Sequence, residues 1–159
     1  MKRERLSAWL KCIVVAAGLM LLALLGFFLP LIGWEVAQDL PELAWLYWPC
    51  LLWSWVLGLV IYTAMGLFWR ICTRIGRDNS FCRENARSLY RISQLALLDT
   101  VLGFLLLVFL GVFAPLHPTV VFGFALLILV GLAIAVAAAL LSRLVEKAAK
   151  LKEENDLTV

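Results

Sequence analysis

Arginine is the residue type through which this chain could do most chemistry. Arg70, Arg74 and Arg77 stand four and three residues apart, and Arg83, Arg87 and Arg91 stand four apart. On a helix each set forms a stripe along one face. A stripe of guanidinium groups presents planar forks of donors that suit phosphate or carboxylate oxygens. Three readings of the six stay open: charge that sets membrane topology, a surface for anionic lipid headgroups, or a surface for an acidic protein partner. Between the sets, Gly76-Arg77-Asp78-Asn79-Ser80 interrupts any helix. Ser80 suits an N-cap for a helix beginning at Phe81, with Glu84 in its first turn, where negative charge complements the helix dipole.

The other candidates are few. Asp99 is the one acidic residue well inside an apolar run, and a carboxylate there is costly enough to be a functional candidate by default. Its position only about five residues, or 7–8 Å, inside the run favours pairing with a nearby arginine or with water over proton or ion handling. His117, between two prolines, reads as a solvated loop histidine. The cysteines Cys12, Cys50, Cys72 and Cys82 show no Cys-x-x-Cys spacing and read as small apolar fillers. No nucleophile–base pair, metal-ligand cluster or phosphate-binding glycine loop is apparent. The expectation is a protein that is not an enzyme and has no catalytic, metal or cofactor site.

These side chains must be positioned by a strongly apolar chain. Of 159 residues, 64% are hydrophobic and 16% charged, against about 45–50% and 25% in soluble domains. The apolar residues fall in blocks, which makes one integral membrane domain with spans at about 12–33, 44–69, 94–114 and 119–142. The first run is longer than a signal-peptide core of about 7–15 residues and reads as an uncleaved span. Trp34 to Leu43 reads as an acidic connector, and Pro49 as the cause of a bend in a long second span. All fourteen lysines and arginines lie before the first span, in the 70–93 loop or in the 143–159 tail. The positive-inside rule therefore places both termini and the arginine loop in the cytoplasm. Trp9 and Trp69 fall near that interface, and Trp34, Trp45 and Trp48 near the other. The fold expected is an all-α four-helix bundle with its fourth helix extended into the cytosol.

Two helical stripes on the last span have consequences. Gly131, Ala135 and Ala139 recur every four residues, with Ala138 and Gly123 nearby, so this face suits close packing inside the bundle, with homo-oligomerisation the alternative. Further on, Leu141, Leu144, Val145, Ala148 and Leu151 repeat at helical spacing opposite Glu146, Lys147, Lys150, Glu153 and Glu154. That stripe must cover something: the loop helix with Leu89 and Ile92, the membrane surface, or another protein.

The ending Leu151-Lys152-Glu153-Glu154-Asn155-Asp156-Leu157-Thr158-Val159 resembles the terminal signature of a bacterial four-span family, domain of unknown function twenty-nine seventy-five. Leu29-Pro30, Pro41-Glu42-Leu43-Ala44 and Tyr47-Trp48-Pro49 are similar to its first outer loop and second-span entry. Phe81-Cys82-Arg83-Glu84-Asn85 resembles its loop motif. The resemblance implies a multi-pass protein of the bacterial cytoplasmic membrane. Its members are often encoded beside a very small helix-turn-helix regulator, which implies a DNA-binding protein partner. No run of this chain resembles a free-standing nucleic-acid-binding domain, so no direct nucleic-acid contact is expected. The resemblance covers neither Asp99 nor His117. The expected function is regulatory, with a cytoplasmic partner bound through Arg70, Arg74, Arg77, Phe81, Arg83, Glu84, Asn85, Arg87, Arg91, Leu151, Glu154, Asn155, Asp156 and Leu157. A small oligomeric transporter or ion-handling subunit, and a lipid or envelope-stress sensor, are the alternatives.

Overall fold

A computed structural model of the chain describes residues 2–76 and 82–157. Its elements are α1 (Lys2–Ala23), a π-helical turn (Leu24–Phe28), α2 (Leu29–Asp39), a 3-10 segment (Pro41–Leu46), α3 (Tyr47–Gly76), α4 (Arg83–Phe113) and α5 (Pro118–Leu157). Four stretches are long and apolar enough to cross a membrane: Ser7–Asp39, Pro41–Gly76, Arg83–Phe113 and Pro118–Asn155. The basic residues gather at one end of this array, here called the basic end.

Three local features depart from expectation. The first span does not stop near Gly33 but continues as α2 to Asp39. There is room for this because Gly33 lacks a side chain: a Cβ would lie 3.1 Å from the Tyr47 ring. The helix ends only where Leu40 closes on the Val36 carbonyl at 3.0 Å and Pro41 follows. Pro49, the expected cause of a bend in the second span, stands at a helix start. It lies in the first turn of α3, directly after the 3-10 segment, so the donor it lacks falls at the change from one helical hydrogen-bond register to the other. Third, α1 widens into a π-turn before Pro30. The Leu29 N–H reaches back to Leu24, and the wider turn accommodates a proline ring that an α-helix would press against the Gly26 carbonyl.

The spans pack in chain order. α1 and α2 lie on α3, α3 on α4, and α4 on α5; among the described residues α5 makes no close backbone approach to α1, α2 or α3. Side-chain hydroxyls and indoles join each neighbouring pair by donating to main-chain carbonyls. Ser7 reaches Cys72 at 2.7 Å, and Tyr62 reaches Gly18 at 2.6 Å. Trp53 reaches Leu102 at 3.2 Å; across the last pair Ser93 bonds Ala135 and Ser142 bonds Ala86, each at 2.7 Å. With no hydrophobic drive between helices in lipid, such bonds and close packing supply the association, at roughly 0.6 kcal/mol per bond.

Gly131, Ala135 and Ala138 do face α4, where Ala135 and Ala138 are buried and Gly131 meets Thr100. Gly123 is exposed. The core is concentrated toward the basic end, where Ile71, Ile92 and Ala138 meet with Leu67, Ile75 and Leu89 around them. Toward the other end the row opens around an apolar cavity of about 440 Å³, bounded by Val36 of α2, Leu51 of α3, Leu106 of α4 and Phe124 of α5 among others.

Candidate functional site

At the basic end, α3 runs out to Gly76 and α4 begins at Arg83, with Cys82 as its N-cap in extended conformation. The helix thus starts two residues later than the sequence suggested. The Cys82 carbonyl takes the N–H of Asn85 at 3.1 Å and of Ala86 at 3.3 Å, and this closes the first turn. Ser80, Arg77 and Phe81 lie outside the described residues, as does the side chain of Asp156.

The remaining arginines do not form two outward stripes. Arg74 points at α4: it pairs with Glu84 at 2.9 Å and donates to the Asn85 side-chain oxygen at 3.3 Å and to Ser88 at 3.5 Å. Asn85 is 1% exposed. Thus the Glu84-Asn85 pair of the loop motif joins α3 to α4. An amide this buried needs its partners, because an unmet polar group costs about 1–3 kcal/mol. Arg70 stays exposed on α3. Arg83 forms an ion pair with Glu153, which binds the start of α4 to the far part of α5. Arg87 and Arg91 are exposed on α4.

α5 continues without a break past Arg143. Its α4-facing side there is Ser142, half-buried Val145 and buried Ala149, while Leu144 is 63% exposed and Leu151 66% exposed. The large apolar residues expected to pack therefore point outward, and small ones make the contact. Close approach of two helices explains the exchange, since Leu side chains at the contact would hold the backbones apart. Glu154, Asn155 and Leu157 are also exposed.

Between α4 and α5 lies a recess of about 460 Å³ that the sequence reading missed, lined by Arg83, Arg87, Tyr90, Ser142, Arg143 and Glu146 with Ala86. The signal was available in the antiparallel register: once Ser142 faces Ala86, Arg143 must stand near Arg87.

Asp99 is half-buried on α4, on the stripe that carries Asn85, Ser88 and Leu102 toward α3. No arginine among the described residues pairs with it, and one carboxylate oxygen is buried without a hydrogen-bond partner among them. Arg74 is held by Glu84 and Asn85, and Arg70 and Arg91 are exposed. His117 is exposed, yet it has a structural task. It caps α5, its Nδ1 accepting the Thr119 N–H at 3.3 Å while its carbonyl takes the Val120 N–H at 2.9 Å. Among the described residues no cluster of His, Cys, Asp and Glu could hold a metal ion.

The family model described as "Protein of unknown function (DUF2975)" matches residues 31–159, and the chain belongs to that family. The chain is also similar to the "Uncharacterized membrane protein YoaS" of Bacillus subtilis (strain 168), with 26% identity over 156 residues, 96% of this chain and 97% of that protein. No solved structure matches.

Proposed function

We propose that the protein is a non-catalytic regulatory protein of the bacterial cytoplasmic membrane. Its basic end faces the cytosol, and the outer side of α5 holds a cytosolic partner there. The partner that best fits the family expectation is a small helix-turn-helix transcription regulator. The positive-inside rule supports the orientation, since every lysine and arginine lies at this end or in the segments that lead to it.

One observation carries the reading. α5 extends past Arg143 with one side packed on α4 and pinned by Arg83–Glu153, while Leu144 and Leu151, two turns apart, remain exposed on the other. Leu151 lies about 12 Å along the helix beyond Arg143, at about 1.5 Å per residue. A leucine stripe at that distance from the apolar span suits the groove of a helical protein.

A photo-crosslinking residue at Leu151, in cells of the native host, tests it. The expected adduct is a small DNA-binding protein that is absent when the probe replaces buried Ala149. Adducts to lipid alone, or to a second copy of the chain, would sink the reading.

Asp99 favours a second reading, an ion-handling subunit. It requires a flux in proteoliposomes that Asp99→Asn abolishes, and a wild-type protein without flux rules it out.

A further inference from the structure

We propose that the recess between α4 and α5 binds the phosphate group of an anionic membrane lipid, held by Arg87 and Arg143. This site stands apart from the protein-partner reading, which uses the Leu144 and Leu151 side of α5.

The charge inventory singles out two residues. Arg83 is occupied by Glu153, and Glu146 lies 3.5 Å from Lys150. Ser142 gives its hydroxyl to the Ala86 carbonyl. Arg87 and Arg143 line the same recess from opposite helices and have no ion-pair partner among the described residues. Two like charges held across a gap repel, and an anion between them relieves this. Guanidinium forks suit phosphate oxygens, because each can offer two parallel donors. The first turn of α4, with Arg83 and Ala86 at the recess, adds the positive end of a helix dipole.

Position decides for a lipid. Arg143 follows the last residues of the fourth apolar run, and on the neighbouring pair Lys11 sits over the Trp69 ring at 5.4 Å, the arrangement expected at a membrane interface. Tyr90, 54% exposed, forms part of the wall with an amphipathic ring suited to that depth. Further along the same faces Leu97 and Val101 on α4 and Val136 on α5 are exposed, which gives acyl chains an apolar track into the bilayer. A phosphate free in solution would share the headgroup chemistry but leave that track unused.

The test is native mass spectrometry of the full-length protein with phosphatidylglycerol, phosphatidylcholine or inorganic phosphate added at equal concentration. Wild type should retain phosphatidylglycerol in preference. The R87Q/R143Q double variant should lose about 25-fold of that preference, taking about fivefold per interfacial arginine. R87K/R143K should keep a large part of it, and K152Q, outside the recess, all of it. Equal retention of the two lipids by wild type would overturn the site, as would an undiminished preference in R87Q/R143Q. Displacement of phosphatidylglycerol by equimolar inorganic phosphate would overturn the lipid assignment.

Discussion

The Trp55 indole donates a hydrogen bond to the Leu25 carbonyl at 3.2 Å, and the reason lies five residues beyond Leu25. In the π-turn the Leu29 N–H bonds Leu24. The next donor in register belongs to Pro30, which has no N–H. Leu25 is thus deprived of its helical partners inside an apolar span, where an unmet carbonyl is costly. A side chain from the neighbouring span replaces them, so one proline in the first span is matched by one tryptophan in the second.

Trp55→Phe keeps the aromatic bulk and removes the donor. It should destabilise the protein by about 1 kcal/mol, near the upper part of the range for single interhelical bonds in membranes. The cost should shrink in a Pro30→Ala background, where the main chain regains a donor. Reversible unfolding in mixed micelles measures both, and equal costs in the two backgrounds would refute the link.

At the α4–α5 contact, a Cβ on Gly131 would collide with the Thr100 side chain. Gly131→Leu should separate the two helices, at about 1–3 kcal/mol as for overpacking elsewhere. Gly131→Ala should cost less, and less again when combined with Thr100→Ala. Thermal melting in detergent reads the series, and an unchanged midpoint for Gly131→Leu would contradict the close approach.

Around Arg74, the two partners should contribute unequally. Glu84 is 69% exposed in its side chain, so Glu84→Gln should cost about 0–1 kcal/mol, as surface ion pairs do. Asn85 is buried, and Asn85→Leu should cost about 1–3 kcal/mol by removing a bond and leaving Arg74 without it. Unfolding free energies of the two variants decide the order, and a larger loss for Glu84→Gln would reverse it.

His117→Ala should weaken the start of α5 by about 1 kcal/mol, the usual cost of losing an N-cap, while His117→Asn should restore most of it. Hydrogen exchange at Thr119 to Val121 is the local readout. Identical protection in wild type and His117→Ala would remove the capping role.

The four spans and the clustering of positive charge were legible because each depends on long runs of one residue class. What failed to show depends on single contacts between distant residues. The leucine repeat from Leu141 to Leu151 has the spacing of a packed face. Yet α4 approaches α5 along Ala138, Ser142 and Ala149, because small residues admit a backbone that leucines would exclude. Arg70 and Arg74 share a helical face by spacing, but Arg74 is drawn to Asn85, whose burial no local pattern announces. Likewise the π-turn required pairing Pro30 with a tryptophan twenty-five residues away. For the candidate recess, each arginine was visible but the register that sets Arg87 against Arg143 was not.

Because each span rests on the one made just before it, the chain can assemble in the order in which it leaves the ribosome. α3 finds α1 already inserted, α4 finds α3, and α5 completes the row without displacing an earlier contact. Contacts between sequence neighbours carry little loop-closure entropy and form quickly. Synthesis halted after Phe113 would leave the first three spans with all the backbone contacts they make among themselves in the finished protein. The arrival of α5 then adds the last helix and, with it, both the leucine stripe and the second arginine of the recess.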